Sequence, residues 1–263
     1  FEAIPGLTVI LSEYGFSWVP AVTMRMDDAW EKGDRELAGL TRAPSETVRD
    51  HVRFTTQPLD EHTPHFPGDP AFQRVPIPGQ EPWRISQIAM SSHSGTHLDA
   101  PLHRIAGSMS IEQIPLSRLT GHGLVVNATG LPENSPIPAN VLDTMAAPTW
   151  PGWFALVHTG WDRFWRDDRY FRHPYLSSEL AQRLVDSGCG LVAVDALSVD
   201  STADNGDASH AILLGRDVLI AENLRGLQDL EVARRYGVAC LPLPMTGSDG
   251  SPVRCIAWDP GER

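Results

Sequence analysis

The chain has 263 residues, of which 41% are hydrophobic and 21% charged, the composition of an ordinary globular protein large enough to bury a sizeable core. Its 33 acidic residues outnumber 21 basic ones, for a formal charge of −12. That argues against a nucleic-acid or anionic-membrane partner, because phosphate surfaces reward cationic proteins. No run approaches the roughly 18 apolar residues of a membrane span, so no membrane partner is expected.

In chain order, residues 1–50 mix Pro5, Gly6, Gly15 and Pro20 with the charged run Asp27 to Lys32. They read as an N-terminal extension or arm, with a short helix over Asp34 to Leu40, and residues 51–263 as the folded domain. Leu7 to Leu11 is apolar but has no basic region before it, a poor secretory signal. Residues 51–90 are rich in proline, and Phe66-Pro67-Gly68-Asp69-Pro70 is a strong turn. Trp83 to Met90 reads as a strand entering the next segment. Beyond it, Ile111 to Leu119, Pro138 to Ala147, Ser178 to Ser187 and Leu230 to Tyr236 read as helices. The clearest is Ser178 to Ser187, where Leu180, Leu184 and Val185 share a face and Gly188 stops the chain. Strands are expected at Gly123 to Asn127, Trp153 to His158, Gly190 to Asp195, Val218 to Ala221, Val238 to Leu243 and Val253 to Trp258. The interleaving predicts a single α/β domain. Cys189, Cys240 and Cys255 are widely spaced in apolar contexts, which reads as buried thiols in a cytoplasmic protein rather than a disulfide framework.

One stretch concentrates the chemistry. Between Ser92 and His103 the chain places His93, His97, Asp99 and His103 at odd positions, one face of a strand but not of a helix. Imidazole and carboxylate are the usual ligands of zinc and similar metals. A straight strand would hold the His93 and His97 backbones about 13 Å apart, too far for two metal–nitrogen bonds of about 2 Å. The chain must therefore bend, and Gly95 is the residue that permits it. The bland alternative is a polar strand with surface histidines. The rival chemistry is the 2-His-1-carboxylate triad of a non-haem iron oxygenase. No nucleophile elbow, Walker loop or dinucleotide fingerprint is present.

His93-Ser-Gly-Thr-His97-Leu-Asp99-Ala-Pro101-Leu-His103 fills every fixed position of His-x-Gly-Thr-His-x-Asp-x-Pro-x-His. That pattern resembles the cyclase family that includes bacterial kynurenine formamidases and isatin hydrolases. Phe66 to Pro70, Thr159-Gly160-Trp161, Ala208-Ser209-His210 and Ala221-Glu222-Asn223-Leu224 are similar to its further segments. The resemblance covers roughly residues 50–259.

The resemblance implies a swivelling β/β/α fold, a homo-oligomer (a dimer or tetramer) and a metal-activated water that cleaves an amide of a small-molecule substrate. It implies a site of two ions per chain, zinc first and manganese as the alternative. His93, His97 and Asp99 would hold one ion; Asp99, His210 and Glu222 the other. His103 resembles the family's acid–base residue, with a fourth ligand as its other reading. Isatin-hydrolase relatives look like one-metal enzymes without the acid at Glu222, so lactam or lactone hydrolysis is the alternative within the family. Thr96 is a candidate support for the ligands, and Phe66, Trp83, Trp161 and Trp165 are candidates for an aromatic pocket.

Overall fold

The computed structural model describes residues 52–54, 59, 62–63, 65–79, 82–144, 148 and 150–259, with residues 27 and 43. Its contacts divide the chain into two units, Phe1–Arg53 and Phe54–Arg263. The short helix expected over Asp34 to Leu40 lies outside the described residues. Strand β1 (Val52–Phe54) spans the division, and the architecture below is that of the second unit.

Seven strands close into a ring. They are β4 (His97–Asp99), β5 (Thr120–Asn127), β7 (Trp153–His158), β9 (Cys189–Val194), β10 (Leu219–Glu222), β11 (Arg235–Pro242) and β12 (Gly250–Trp258). The order is β12-β11-β5-β7-β9-β10-β4, and β4 pairs back onto β12. Strands β5, β7, β9 and β10 run parallel. The antiparallel strands β4, β11 and β12 complete the wall. Closure leaves the ring without an unpaired edge.

The wall is buried on both faces. On β7, Phe154 and Leu156 join Leu98, Val125, Leu191, Ala193, Ala221 and Cys240 in one cluster inside the ring. Trp153, Ala155 and Val157 join a second cluster outside it. Period-two alternation explains the split, and the two-sided burial explains the unbroken apolar run of β7. Helix α1 (Ser178–Asp186) covers the outer face with Leu180, Ala181 and Leu184, and its N-cap Ser177 accepts a hydrogen bond from the Leu180 amide. Helix α2 (Ala208–Leu214) adds Leu213 and Leu214. The remaining strands are β2 (Gln73–Pro76), β3 (Ser86–Ala89), β6 (Pro136–Ile137) and β8 (Tyr175–Leu176). They form two small pairs, β2–β3 and β6–β8.

Several expectations hold. The turn at Phe66 to Pro70 closes with an Asp69 amide to Phe66 carbonyl bond of 3.0 Å. The strands of the wall and the helix after Ser177 lie where expected, and all three cysteines are buried and outside any disulfide. Others need correction. Leu230 to Tyr236 is not a helix: Ala233 adopts φ +65°, which a right-handed helix cannot include, and β11 starts at Arg235. Ile111 to Leu119 and Pro138 to Ala147 yield only 3-10 turns, over Ile111–Gln113, Leu116–Arg118 and Ala139–Thr144. Pro115 splits the first of these, since proline disfavours helix at the preceding residue. The strand expected over Trp83 to Met90 forms over the shorter span Ser86–Ala89, as β3, and pairs with β2.

Candidate metal centre

The seam where β4 closes the ring builds the site. Only His97–Asp99 of the motif is strand. His93 sits in the turn before it, and Gly95 makes the required bend at φ +64°. A Cβ on Gly95 would also touch the Leu59 and Thr63 side chains, each at 3.0 Å. The turn is fastened by the Thr96 hydroxyl, which donates to the Asn223 carbonyl at 2.7 Å. Leu98 points into the ring, so His97 and Asp99 share its outer face. Glu222 is the register partner of His97 on β10, and Gly250 on β12 is the partner of Asp99. Asn223 follows with φ +57°, a left-handed conformation that asparagine tolerates, and the strand ends at Glu222.

His210 comes from the first turn of α2. The Asp200 carboxylate accepts the Ser209 amide at 2.8 Å, and the His210 amide at 3.0 Å and its Nδ1 at 2.8 Å. Asp200 thus satisfies open N–H groups of the helix and fixes the imidazole together.

Five side chains converge. His93 Nδ1 lies 2.8 Å from Asp99 Oδ1, and His97 Nε2 3.3 Å from the same oxygen. His210 Nε2 lies 3.4 Å from Asp99 Oδ2 and 3.5 Å from Glu222 Oε1. His97 Nε2 lies 3.5 Å from Glu222 Oε2. Donor atoms of His93, His97 and Asp99 fall within 4.8 Å of one another, as do those of Asp99, His103 and His210. Glu222 Oε1 also accepts the Val199 amide at 2.8 Å. His103 ends a 3-10 turn, Pro101–His103, and its ring lies 4.0 Å from that of His93.

The residues fit a cation by their own chemistry. Asp99 Oδ2 is buried and has no hydrogen-bond partner, an expensive state for a carboxylate oxygen unless a cation faces it. Each of the three imidazoles is held from behind by one nitrogen and faces the cluster with the other. His97 Nδ1 bonds the Gly95 carbonyl at 2.9 Å, His210 Nδ1 bonds Asp200, and His93 Nε2 bonds Asp249 Oδ2 at 3.1 Å. That backing is the usual device for metal-binding histidine.

Electrostatics agree. Burial and the neighbouring Asp99 push the Glu222 carboxyl upward, the response of two carboxylates sharing a dry site. Burial would also raise Asp99, but the three imidazoles around it hold it well below the usual range. Burial would lower His93, yet Asp99 and Asp249 lift it to about 9. His210 is raised above its usual value against burial, first by Asp200 and then by Asp99 and Glu222. A dication would supply the positive charge that protons carry here.

Two residues of the site escaped sequence reasoning, Asp200 and Asp249. Each is a lone aspartate with no ligand-like spacing, and only the Asp249-Gly250 turn hints at a special position. Of the aromatic candidates, Trp161 is core, 3% exposed, with its Nε1 donating to the Arg169 carbonyl. Trp165 Nε1 donates to the His62 carbonyl at 2.9 Å, whereas Phe66 and Trp83 are exposed.

Comparison with known proteins adds four findings. The profile of the family described as “Putative cyclase” matches residues 55–201. A protein named kynurenine formamidase from Bordetella petrii is 31% identical over 217 residues, spanning 78% of this chain and 96% of that protein. Among solved structures, one described as a potential metal-dependent hydrolase with cyclase activity has TM-score 0.67 at 30% identity, over 81% of this chain and 98% of the other. Isatin hydrolase A of Labrenzia aggregata shares the fold, with TM-score 0.70 at 20% identity, over 80% and 94% of the two chains.

Proposed function

This chain belongs to the “Putative cyclase” family, and from that premise we propose that it is a metal-dependent amidohydrolase acting on an aryl formamide, the type of bond for which its kynurenine formamidase relatives are named. The observation that carries this is the five-residue cluster around Asp99, whose buried Oδ2 is left unbonded. His93, His97 and Asp99 would hold one ion; Asp99, His210 and Glu222 would hold a second. Zinc is the first choice and manganese the second. When bound, such ions supply Lewis acidity and a water whose pKa falls to about 7.

The chain's own residues do the rest. Asp99 offers an oxygen to each side of the cluster, and Glu222 adds the charge that a second dication requires. His97, Asp99 and Glu222 are buried, so the wall behind the reacting carbonyl is dry. His103 stands at the open side, with one third of its side chain exposed. It would pass a proton to the leaving amine as general acid. A facial triad would need two histidines and one carboxylate. Five converging side chains exceed that, which favours hydrolysis over oxygenase chemistry.

Residues 51–263 form the hydrolase domain in this reading, with 1–50 as an extension. The exposed apolar side chains of the β2–β3 hairpin, Val75, Ile77, Trp83, Ile85 and Ile88, support a homo-oligomer, because monomers rarely display such a patch. Three buried thiols outside any disulfide support a cytoplasmic setting. Among the described residues no helix is long and apolar enough to cross a membrane.

The test is elemental analysis of the purified protein with turnover of an aryl formamide, a lactam and a lactone. Activity should vanish on chelation, return with zinc or manganese and favour the formamide. Full turnover by rigorously metal-free protein defeats the mechanism, lactam preference moves the substrate class, and oxygen consumption with iron(II) installs the oxygenase reading.

A further inference from the structure

Asp249 stands outside both proposed ligand sets yet touches the site twice. Its Oδ2 lies 3.0 Å from His103 Nδ1 and 3.1 Å from His93 Nε2. Its Oδ1 accepts the Ser92 hydroxyl at 3.2 Å, and its carbonyl accepts the Ala100 amide at 2.9 Å. The residue is therefore tied to both ends of the His93–His103 segment by side chain and backbone alike. Its side chain is 42% exposed, so it is not there to fill the core.

A carboxylate has no proton to give, so both imidazole nitrogens that face it must be N–H donors. For His103 this leaves Nε2 as the nitrogen available to a reacting group. We infer that Asp249 is a positioning residue: it fixes the tautomer and ring orientation of His103 and braces the metal-facing His93 with the same oxygen.

The inference rests on the proposed hydrolase reading for its catalytic consequence, but not for its geometry. The same logic appears wherever a carboxylate orients a catalytic imidazole. One oxygen serving two rings also explains why the rings sit only 4.0 Å apart, tilted by 39°. With Asp249 removed, nothing else among the bonds of the described residues holds His103 Nδ1.

The experiment uses the full chain, as wild type, Asp249→Ala, Asp249→Glu, His103→Ala and Asp249→Ala/His103→Ala, all metal-replete. The first readout needs no turnover: nitrogen-15 NMR of labelled histidine, with the His103 signals identified by their loss in His103→Ala. Wild type should show His103 protonated on Nδ1 when neutral, and Asp249→Ala should show a mixture of tautomers. The second readout is hydrolysis of an aryl formamide. Asp249→Ala should keep its metal, lower kcat about 10- to 100-fold with little change in KM, and be partly rescued in Asp249→Glu. It should cost nothing further in the His103→Ala background. An unchanged tautomer, or an equal kcat loss with and without His103, would each overturn the inference. Failure of wild type to cleave any amide would defeat the hydrolase reading alone, leaving the tautomer to decide the role of Asp249.

Discussion

Gly250 shows how narrowly the centre is fitted at the level of single residues. It faces Asp99 across the β4–β12 pairing and has no side chain because the His93 ring occupies that space. An added Cβ would lie 2.8 Å from His93 Nε2 and 2.9 Å from Nδ1, inside contact distance. The obstacle is a side chain rather than backbone, so the ring can move, at the expense of its bonds to Asp99 and Asp249. Gly250→Ala should therefore fold, with a metal-free melting temperature near that of wild type, while metal affinity drops about 10- to 100-fold. Titration of metal-free protein with zinc measures this. An unchanged affinity would remove His93 from the ligand set.

The elements that carry the site differ in how plainly the sequence announces them. His93, His97, Asp99 and His103 are legible because four ligand-type side chains share eleven residues and Gly95 supplies a bend. The runs that became β7 and β9 are legible because both faces are buried. His210 and Glu222 are lone residues that only resemblance to a family picks out. Asp200 and Asp249 leave no mark, since their partners lie 10 and 146 or more positions away along the chain. The expected helix over Leu230 to Tyr236 fails because local propensity is outweighed by pairing of β11 with both β5 and β12.

One connection between elements is pH-sensitive. The 3-10 turn over Asp168–Arg172 ends at His173, which is buried and whose Nε2 lies 2.7 Å from the Thr202 hydroxyl. Burial lowers its pKa from 6.5 to about 4. The unfolded chain thus binds the proton more readily, and stability is present above about pH 6.5 and lost as pH falls toward 4. At pH 5 the loss from this group is about 2 kcal/mol relative to pH 7, from about 1.4 kcal/mol per pKa unit. His173→Gln, which keeps a polar partner for Thr202 but no titrating proton, should lose less stability between pH 7 and pH 5. Denaturant unfolding at both values checks it, and equal losses in the two proteins would show that His173 is not the source.

Across the whole molecule, the ring is closed by its shortest member: β4 has three residues and pairs with β10 on one side and β12 on the other. The same three residues present His97 and Asp99, while β10 presents Glu222 and α2 presents His210. A metal bound by these groups would join β4, β10 and α2 at the seam, so binding and closure are one event. In its absence the seam holds Asp99 and Glu222, two fully buried carboxylates in repulsion. The metal stabilises only the native arrangement, so saturation at about one hundred times Kd should add about 2.7 kcal/mol. Metal removal should lower the unfolding midpoint accordingly and act locally. Amide exchange should quicken at Leu98 and Ile220, on the two strands of the seam, while Ala155 and Leu156 on β7, three strands away around the ring through β9 and β10, keep their protection. Hydrogen-exchange mass spectrometry with and without chelator, alongside elemental analysis to verify removal, makes the comparison. An unchanged midpoint and unchanged exchange at the seam in verified metal-free protein would separate the metal from the closure of the ring.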